Sequence, residues 1–307
     1  MKKNLVILLV LFSLIVTAAG CGSNKEGSGN GLNGTIKIDG SSTVFPISEA
    51  VAEEFKKANP GVNITVGISG TGGGFKKFAA GETDISDASR PIKDNEKQKA
   101  LENKIEYIEI PVAYDGLSVV INKENTWVDK LTTEELKKIW EPGSTVKKWN
   151  QVRPDWPDIE IKLYGPGTDS GTFDYFTEAI NGKEKASRSD YTPSEDDNVL
   201  VQGVAGDKGA LGYFGFAYYI ENKDKLKIVP IDAGKGAIAP EEKTINDGTY
   251  KPLSRPIFIY VSKASLQRPE VKEFIKYYLT EGPKLIPQVG YISLPDNMYK
   301  ESLAKIQ

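Results

Sequence analysis

The stretch Val62–Ala80 reads VNITVGISGTGGGFKKFAA. Its first seven residues are typical of a strand and its last six of a helix, with the glycine-rich turn Ser69–Gly74 between them. The same order of strand, Gly/Ser/Thr turn and helix recurs around Gly40–Thr43 and Thr168–Thr172. Such a turn offers backbone N–H groups, hydroxyl donors and the positive end of a helix dipole. Three of them in one chain indicate convergence on one anion.

Strands and helices alternate on both sides of this stretch. Thr35–Asp39, Val62–Ile68, Asp84–Ala88 and Tyr107–Val112 are predicted strands with helical segments between them. This βαβαβαβ pattern favours a doubly wound α/β sheet. Further strand and helix patterns follow, beginning with the apolar run Leu117–Ile121. The sequence therefore predicts an α/β protein rather than an all-α or all-β one.

The chain is long enough for two lobes. We expect one lobe from residues 34–114 plus 255–307 and a second from residues 115–254. The chain would cross between them near Ala113–Gly116 and return near Leu253–Arg255. Ligands of open α/β sheets bind beyond the carboxyl ends of the strands, which is where the glycine-rich turns are predicted to lie.

The first residues have the pattern of a secretory signal. Lys2 and Lys3 precede an apolar run, and Ala18-Ala19-Gly20-Cys21 resembles the lipobox of bacterial lipoproteins. We therefore predict a signal peptide over residues 1–20, lipidation of Cys21 and a flexible tether over residues 21–33. Removal of the signal changes the net charge from −3 to −5, because it leaves 37 basic and 42 acidic residues. This charge argues against a nucleic-acid partner.

Composition narrows the possible chemistry. The chain contains no histidine, and Cys21 is its single cysteine, so Ser-His-Asp and Cys-His catalysis are excluded and zinc catalysis is disfavoured. None of the glycine-rich turns has the P-loop spacing GxxxxGK[ST]. No metal and no cofactor is predicted.

Four turns supply the candidate anion contacts. They offer Ser/Thr hydroxyls, backbone N–H groups at helix starts, including that of Phe45, and one guanidinium, whose charge-assisted bonds are the strongest. The candidates are Ser42, Thr43, Val44, Thr71, Gly72, Ser89, Arg90, Ser170, Gly171 and Thr172. Singly, each hydroxyl would be an ordinary N-cap and Arg90 a surface arginine. The shared position of the turns favours an anion-binding cleft.

Five motifs together resemble the phosphate-binding lipoproteins of bacterial high-affinity phosphate ABC importers. They are DGSSTVFPI (Asp39–Ile47), SGTGGG (Ser69–Gly74), DISDASRPI (Asp84–Ile92), DSGTFDYF (Asp169–Phe176) and QVGYISLP (Gln288–Pro295). The resemblance implies a two-lobed periplasmic-binding-protein fold of type II that closes on phosphate. It also implies that the ten candidate residues contact the anion.

The chain departs from that family at two places. Ser89 stands where well-known members have the carboxylate that accepts the phosphate proton, and Pro166 stands where they have an arginine. The resemblance implies that Arg90 replaces this arginine. Three carboxylates are then candidate acceptors: Asp87, Asp115 and Asp169.

The resemblance implies a monomeric, lipid-anchored extracytoplasmic protein, on a Gram-positive surface rather than in a periplasm. It would deliver inorganic phosphate to the membrane subunits of an ABC permease without covalent chemistry. Three alternatives stay open: the same fold binding sulfate or molybdate, a surface phosphohydrolase with a hydroxyl nucleophile and magnesium, and a phosphate sensor or adhesin.

Overall fold

A strand of 16 residues, β4 (Tyr107–Asn122), runs through the middle of the sheet. This computed structural model describes residues 31–168 and 170–306. The sequence predicted two separate strands here, and that prediction was wrong. Residues 113–116 do not leave the sheet, because they pair with β12 (Ser254–Ser262) from Ala113 opposite Ile257 to Gly116 opposite Ser254.

Thirteen strands are present in the described residues. Besides β4 and β12 they are β1 (Gly34–Gly40), β2 (Val62–Ile68), β3 (Ile85–Ala88), β5 (Leu131–Thr132), β6 (Lys162–Pro166), β7 (Thr192–Ser194), β8 (Ala210–Gly215), β9 (Leu226–Ile228), β10 (Ile231–Asp232), β11 (Ala237–Ile238) and β13 (Ile292–Ser293). Strands β5, β10 and β11 form a small separate sheet.

The main sheet has the order β2-β1-β3-β12-β4-β8-β6-β7, with β9 and β13 added on β4. The three N-terminal strands are parallel, as the βαβ pattern predicts. Strand β12, from the C-terminal third of the chain, lies antiparallel between β3 and β4. The doubly wound prediction therefore holds for β1–β3 but is wrong for the sheet as a whole, which is mixed.

Eleven α-helices surround the sheet within the described ranges. They are α1 (Phe45–Ala58), α2 (Gly70–Ala79), α3 (Asp94–Glu102), α4 (Thr133–Trp140), α5 (Gly171–Phe176), α6 (Asp197–Gly206), α7 (Phe216–Glu221), α8 (Glu242–Asn246), α9 (Pro269–Thr280), α10 (Gly282–Leu285) and α11 (Asp296–Ala304). A π-helical turn, Thr177–Asn181, continues α5. Within the described part of the chain, no helix is long and apolar enough to cross a membrane.

The glycine-rich stretch after β2 is helical, where the sequence predicted a turn. Helix α2 begins at Gly70 and includes all the glycines that follow. A Cβ atom at Gly74 would lie 2.5 Å from Gly40 Cα and 2.9 Å from the Asp39 carbonyl oxygen. Glycine is needed here because the helix backbone packs directly on the end of β1.

Two large hydrophobic clusters lie on either side of the crossover in sequence. The first draws its buried residues from positions 36–113 and 257–306, and includes Phe55 and Phe274 with their rings 5.3 Å apart. The second draws its buried residues from positions 117–253, and includes Phe176 stacked on Tyr213 at 3.7 Å. Aromatic contacts of this kind contribute beyond the area that they bury.

A carboxyl group is buried beside the first cluster. Asp87, near the end of β3, is fully buried, and its Oδ1 accepts a hydrogen bond from the Ser48 hydroxyl at 2.9 Å. The same hydroxyl lies 3.1 Å from the Tyr278 hydroxyl. Burial raises the pKa of Asp87 to about 7, although the Ser48 hydrogen bond opposes the shift.

This pKa predicts a pH dependence of stability. Since the carboxyl of Asp87 would titrate at its ordinary value of 3.8 in the unfolded chain, its stabilising contribution is complete below about pH 4 and is lost as the pH rises through about 7. An Asp87→Asn variant mimics the protonated group. We expect it to gain roughly 2–4 kcal/mol in free energy of unfolding, relative to the parent chain, between about pH 5 and pH 8. Urea unfolding at the two pH values measures this difference.

Asp94→Asn is the matched control, because the side chain of Asp94 is 99% exposed. It should shift the free energy of unfolding equally at both pH values. An Asp87→Asn effect that is also independent of pH would contradict the assignment of a raised pKa to Asp87.

Candidate functional site

The first turn, between β1 and α1, is closed by its own hydrogen bonds. The Ser41 carbonyl accepts from the N–H groups of Val44 and Phe45 at 3.2 and 3.0 Å, and the Ser41 hydroxyl accepts from the Thr43 N–H. The Val44 and Phe45 N–H groups, which the sequence offered as anion donors, therefore both have acceptors inside the turn. The hydroxyls of Ser42 and Thr43 are the donors that this turn projects outward.

The turn before α5 contacts the first turn. The Thr43 hydroxyl donates to the Gly171 carbonyl at 3.2 Å, and a Cβ atom at Gly171 would lie 2.5 Å from Thr43 Cα. Ser170 is the N-cap of α5 and its hydroxyl accepts from the Thr172 N–H at 3.2 Å. Two turns separated by more than 120 residues in sequence thus meet backbone to backbone.

The remaining candidates form a second group. The hydroxyls of Thr71 and Ser89 lie 2.9 Å apart, and the Ser89 N–H donates to the Thr71 hydroxyl at 3.1 Å. A Cβ atom at Gly72 would lie 3.9 Å from Nη2 of Arg90. The start of α2 and the turn after β3 are therefore adjacent, as parallel strands that end at one edge require.

The guanidinium of Arg90 is held by a partner that the sequence reasoning missed. Glu96, in the first turn of α3, accepts from Nη1 and Nη2 at 2.8 Å each and also accepts from the Lys93 N–H. These bonds raise the pKa of Arg90. Burial opposes ionisation of Glu96, but the bonds from Arg90 and the Lys93 N–H outweigh it and lower its pKa. The glutamate three residues after Lys93, at the start of the predicted helix, was the sequence signal for this partner.

The first group of donors borders a cavity of about 260 Å³. Ser42, Ser170, Gly171 and Thr172 line it. Tyr218, Gly290 and Tyr291 also line it, so the C-terminal motif QVGYISLP reaches this cavity. The Ser42 hydroxyl and the third turn of the sequence prediction are thereby brought to one cavity. The other candidates do not line it: Thr43, Val44, Thr71, Gly72, Ser89 and Arg90.

Three carboxylates line the same cavity: Asp115, Glu195 and Asp197. Asp115 was a sequence candidate, whereas the other two, just before and at the start of α6, were missed. Burial raises the pKa of Asp115 to about 6, while the guanidinium of Arg255 opposes the shift. Burial and the charges of Asp196 and Glu195 raise the pKa of Asp197 to about 7. A cavity with several carboxylates favours a ligand that brings hydrogen-bond donors.

The other two candidate acceptors are placed differently. Asp87 is enclosed by the first hydrophobic cluster and bonded to Ser48, and it does not line the cavity. Asp169 lies outside the described residues, as do Cys21, the signal segment and most of the tether. Among the described candidates, Asp115 alone borders the cavity beside the donor hydroxyls.

Comparison with known proteins identifies the family of the chain. Residues 26–281 match a family model described as a PBP superfamily domain. The chain is 51% identical to the protein SphX of Synechocystis sp. over 89% of its own length and 81% of the relative's. It is 44% identical to the phosphate-binding protein PstS of Staphylococcus saprophyticus, covering 96% and 90% of the two chains.

A solved structure gives the same result for the fold. The crystal structure of a protein from Planctomyces limnophilus, described as a possible phosphate binding protein, superimposes with a TM-score of 0.86 at 55% identity, covering 90% of this chain and 98% of that one. The chain therefore belongs to the PBP superfamily of two-lobed binding proteins, in the group that includes SphX and the phosphate-binding protein PstS.

Proposed function

We propose that this protein binds inorganic phosphate outside the cytoplasmic membrane and delivers it to the membrane subunits of an ABC importer. The observation that carries the proposal is the contact between Thr43 and Gly171, which brings two donor turns from distant parts of the chain to one cavity. The relatives named for phosphate binding support the choice of anion. The protein carries out no covalent chemistry.

The cavity lies between two lobes, residues 34–114 plus 255–307 and residues 115–254. The two large hydrophobic clusters divide at these boundaries, which supports independent packing of each lobe. Phosphate binds as the lobes close, because the Ser42–Val44 turn belongs to one lobe and Ser170–Thr172 to the other. The protein acts as a monomer whose two lobes both contact the permease.

Each candidate has a defined role in this proposal. The hydroxyls of Ser42, Thr43, Thr71 and Ser89 rotate from their internal bonds toward the anion, since a hydroxyl hydrogen is free to reorient. Ser170, Gly171 and Thr172 present the helix N-terminus of α5, and Gly72 contributes an N–H group. The Val44 N–H exchanges its bond to the Ser41 carbonyl for one to the anion. Arg90 provides the positive charge and a planar fork of donors.

Asp115 accepts the proton of the bound phosphate. It is the described candidate carboxylate that lines the cavity with Ser42 and Ser170. An ionised carboxylate repels sulfate, which has no proton to share at neutral pH, and accepts a charge-assisted hydrogen bond from a protonated phosphate oxygen. Of the two described candidates, this assignment selects Asp115 over Asp87.

The protein is anchored by lipid on Cys21 after removal of residues 1–20, and residues 21–33 form the tether. The support is the sequence Ala18-Ala19-Gly20-Cys21 after a basic and apolar leader. The surface of a Gram-positive cell is the proposed location.

Replacement of Arg90 tests the cation. We expect Arg90→Ala to weaken phosphate binding at least about tenfold, or about 1.4 kcal/mol, because one charge-assisted contact is lost. Isothermal titration calorimetry at neutral pH measures the affinity. Arg153→Ala is a close match, because Arg153 also pairs with a helix-capping glutamate, Glu135, and packs over an aromatic ring. Equal affinities in both variants would exclude Arg90 from the site.

Replacement of Gly171 tests the contact between the turns. An added methyl group would lie 2.5 Å from the Thr43 backbone, so Gly171→Ala should hold the turns apart and weaken phosphate binding at least about tenfold. Gly206→Ala, at the end of α6 with no atom within 4 Å of its Cβ position, should leave the affinity unchanged. Full affinity of Gly171→Ala would contradict binding between these turns.

Asp115→Asn tests the acceptor. We expect phosphate affinity near pH 8 to fall at least about tenfold, while sulfate affinity stays equal or rises, because the amide no longer repels a fully ionised anion. Titration with both anions gives the selectivity ratio, which is the phosphate affinity divided by the sulfate affinity. Asp87→Asn should leave that ratio unchanged, and a loss of selectivity in Asp87→Asn instead would move the acceptor to Asp87. Tight sulfate binding by the parent chain would favour another oxyanion as the ligand.

A further inference from the structure

Arg255 and Asp115 face each other where the chain passes between the two halves of the sheet. They are direct partners in the antiparallel pairing of β12 with β4. Asp115 is buried and lines the cavity, and the side chain of Arg255 is only 15% exposed. The sequence reasoning assigned no role to Arg255.

The two side chains attract each other without forming a hydrogen bond. Arg255 Nε lies 3.6 Å from Asp115 Oδ2, which exceeds hydrogen-bond distance. Both atoms are buried, and in the described part of the chain neither has a hydrogen-bond partner. The guanidinium therefore stabilises the negative charge of Asp115 while leaving the lone pairs of Oδ2 free for another donor.

Other contacts keep Arg255 at this distance. Its guanidinium carbon lies 3.6 Å from the centre of the Tyr175 ring, and Nη1 lies 3.7 Å from Glu178 Oε2. The Tyr175 hydroxyl in turn donates to the Pro252 carbonyl at 2.7 Å, just before β12. Arg255, on β12, thus packs against α5, the helix that begins after the turn before Gly171.

We propose that Arg255 is a positioning residue that keeps Asp115 ionised and oriented, so that Asp115 can accept the proton of bound phosphate. The inference rests on the proposed function, in which Asp115 is the acceptor. Arg255 acts through Asp115 and makes no contact with phosphate. Arg255 therefore contributes to the selectivity for phosphate and adds no contact to the anion.

The charges around Asp115 are consistent with this role. Burial raises the pKa of Asp115, and Arg255 provides the opposing charge. The other titratable groups that interact with this pair are Asp174, Tyr175, Glu178 and Tyr291, and Asp197 lines the same cavity. The tyrosines are neutral because burial raises their pKa values. Arg255 is the cation of this set.

The test compares Arg255→Gln with Arg255→Lys over a range of pH. Loss of the charge raises the pKa of Asp115, so Arg255→Gln should weaken phosphate binding at least about tenfold near pH 6–7 and progressively less toward pH 9. Arg255→Lys should restore most of the affinity. The change in the protonation of phosphate with pH cancels, because the affinity of each variant is compared with that of the parent chain at the same pH. Arg268→Gln is the control, because Arg268 pairs with Asp84 and does not line the cavity. Its phosphate affinity should equal that of the parent chain at each pH.

A double-mutant cycle and a ligand-free titration complete the test. In the Asp115→Asn background, Arg255→Gln should have no further effect on phosphate affinity. An equal loss in both backgrounds would overturn the inference, because Arg255 would then act directly or only through stability, which thermal unfolding reports.

The carboxyl of Asp115, followed by isotope-edited infrared spectroscopy without phosphate and identified through Asp115→Asn, should titrate at higher pH in Arg255→Gln. An unchanged titration would also overturn the inference. Failure of the parent chain to bind phosphate would instead refute the proposed function, and the Asp115 titration would still decide whether Arg255 keeps this carboxyl ionised.

Discussion

The pairing of β4 with β12 is the constraint on which the rest of the structure depends. One end of β4 pairs with β12 and the other with β8, so one strand belongs to both halves of the sheet. Since the hydrogen bonds fix the register residue by residue, Asp115 can face no position on β12 other than Arg255. The ladder that joins the two hydrophobic clusters therefore also sets the charge at the wall of the cavity.

Several candidate donors have hydrogen-bond partners within the protein. Thr71 bonds with Ser89, Thr43 with Gly171 and Arg90 with Glu96. A hydroxyl that exchanges a neutral acceptor for an anion gains a charge-assisted hydrogen bond, whereas Arg90 already has such bonds to Glu96. We infer that hydroxyls and N–H groups define the shape of the site, whereas Arg90 and the cavity carboxylates decide which anion is bound. Carboxylates beside an anion site favour an anion that carries a proton, because such an anion can donate a hydrogen bond to them.

The sequence predicted several elements well. Strand β2 has the bounds that its pattern indicated, and β1–β3 end at a common edge. Other predictions failed where a tertiary contact outweighed a local preference. The run Gly70–Gly74 reads as a turn because glycine is a weak helix former, but it is helical, and at Gly74 only glycine fits against Gly40. The segment Ala113–Gly116 (AYDG) predicts a break between two strands, but its pairing with β12 keeps it in the sheet.

The sequence by itself determined the class of the protein, since the absence of histidine, the hydroxyl-rich turns after strands and the family motifs are all local features. It also predicted the ten candidate contacts. Only the tertiary structure decided how these residues are grouped, which carboxylate borders the cavity and which partners hold Arg90 and Asp115. The physical reason is that these choices depend on burial and on distances between residues far apart in the chain: Asp87 and Asp115 look alike in sequence, but one is enclosed beside a hydrophobic cluster and the other faces a cavity and an arginine 140 positions away.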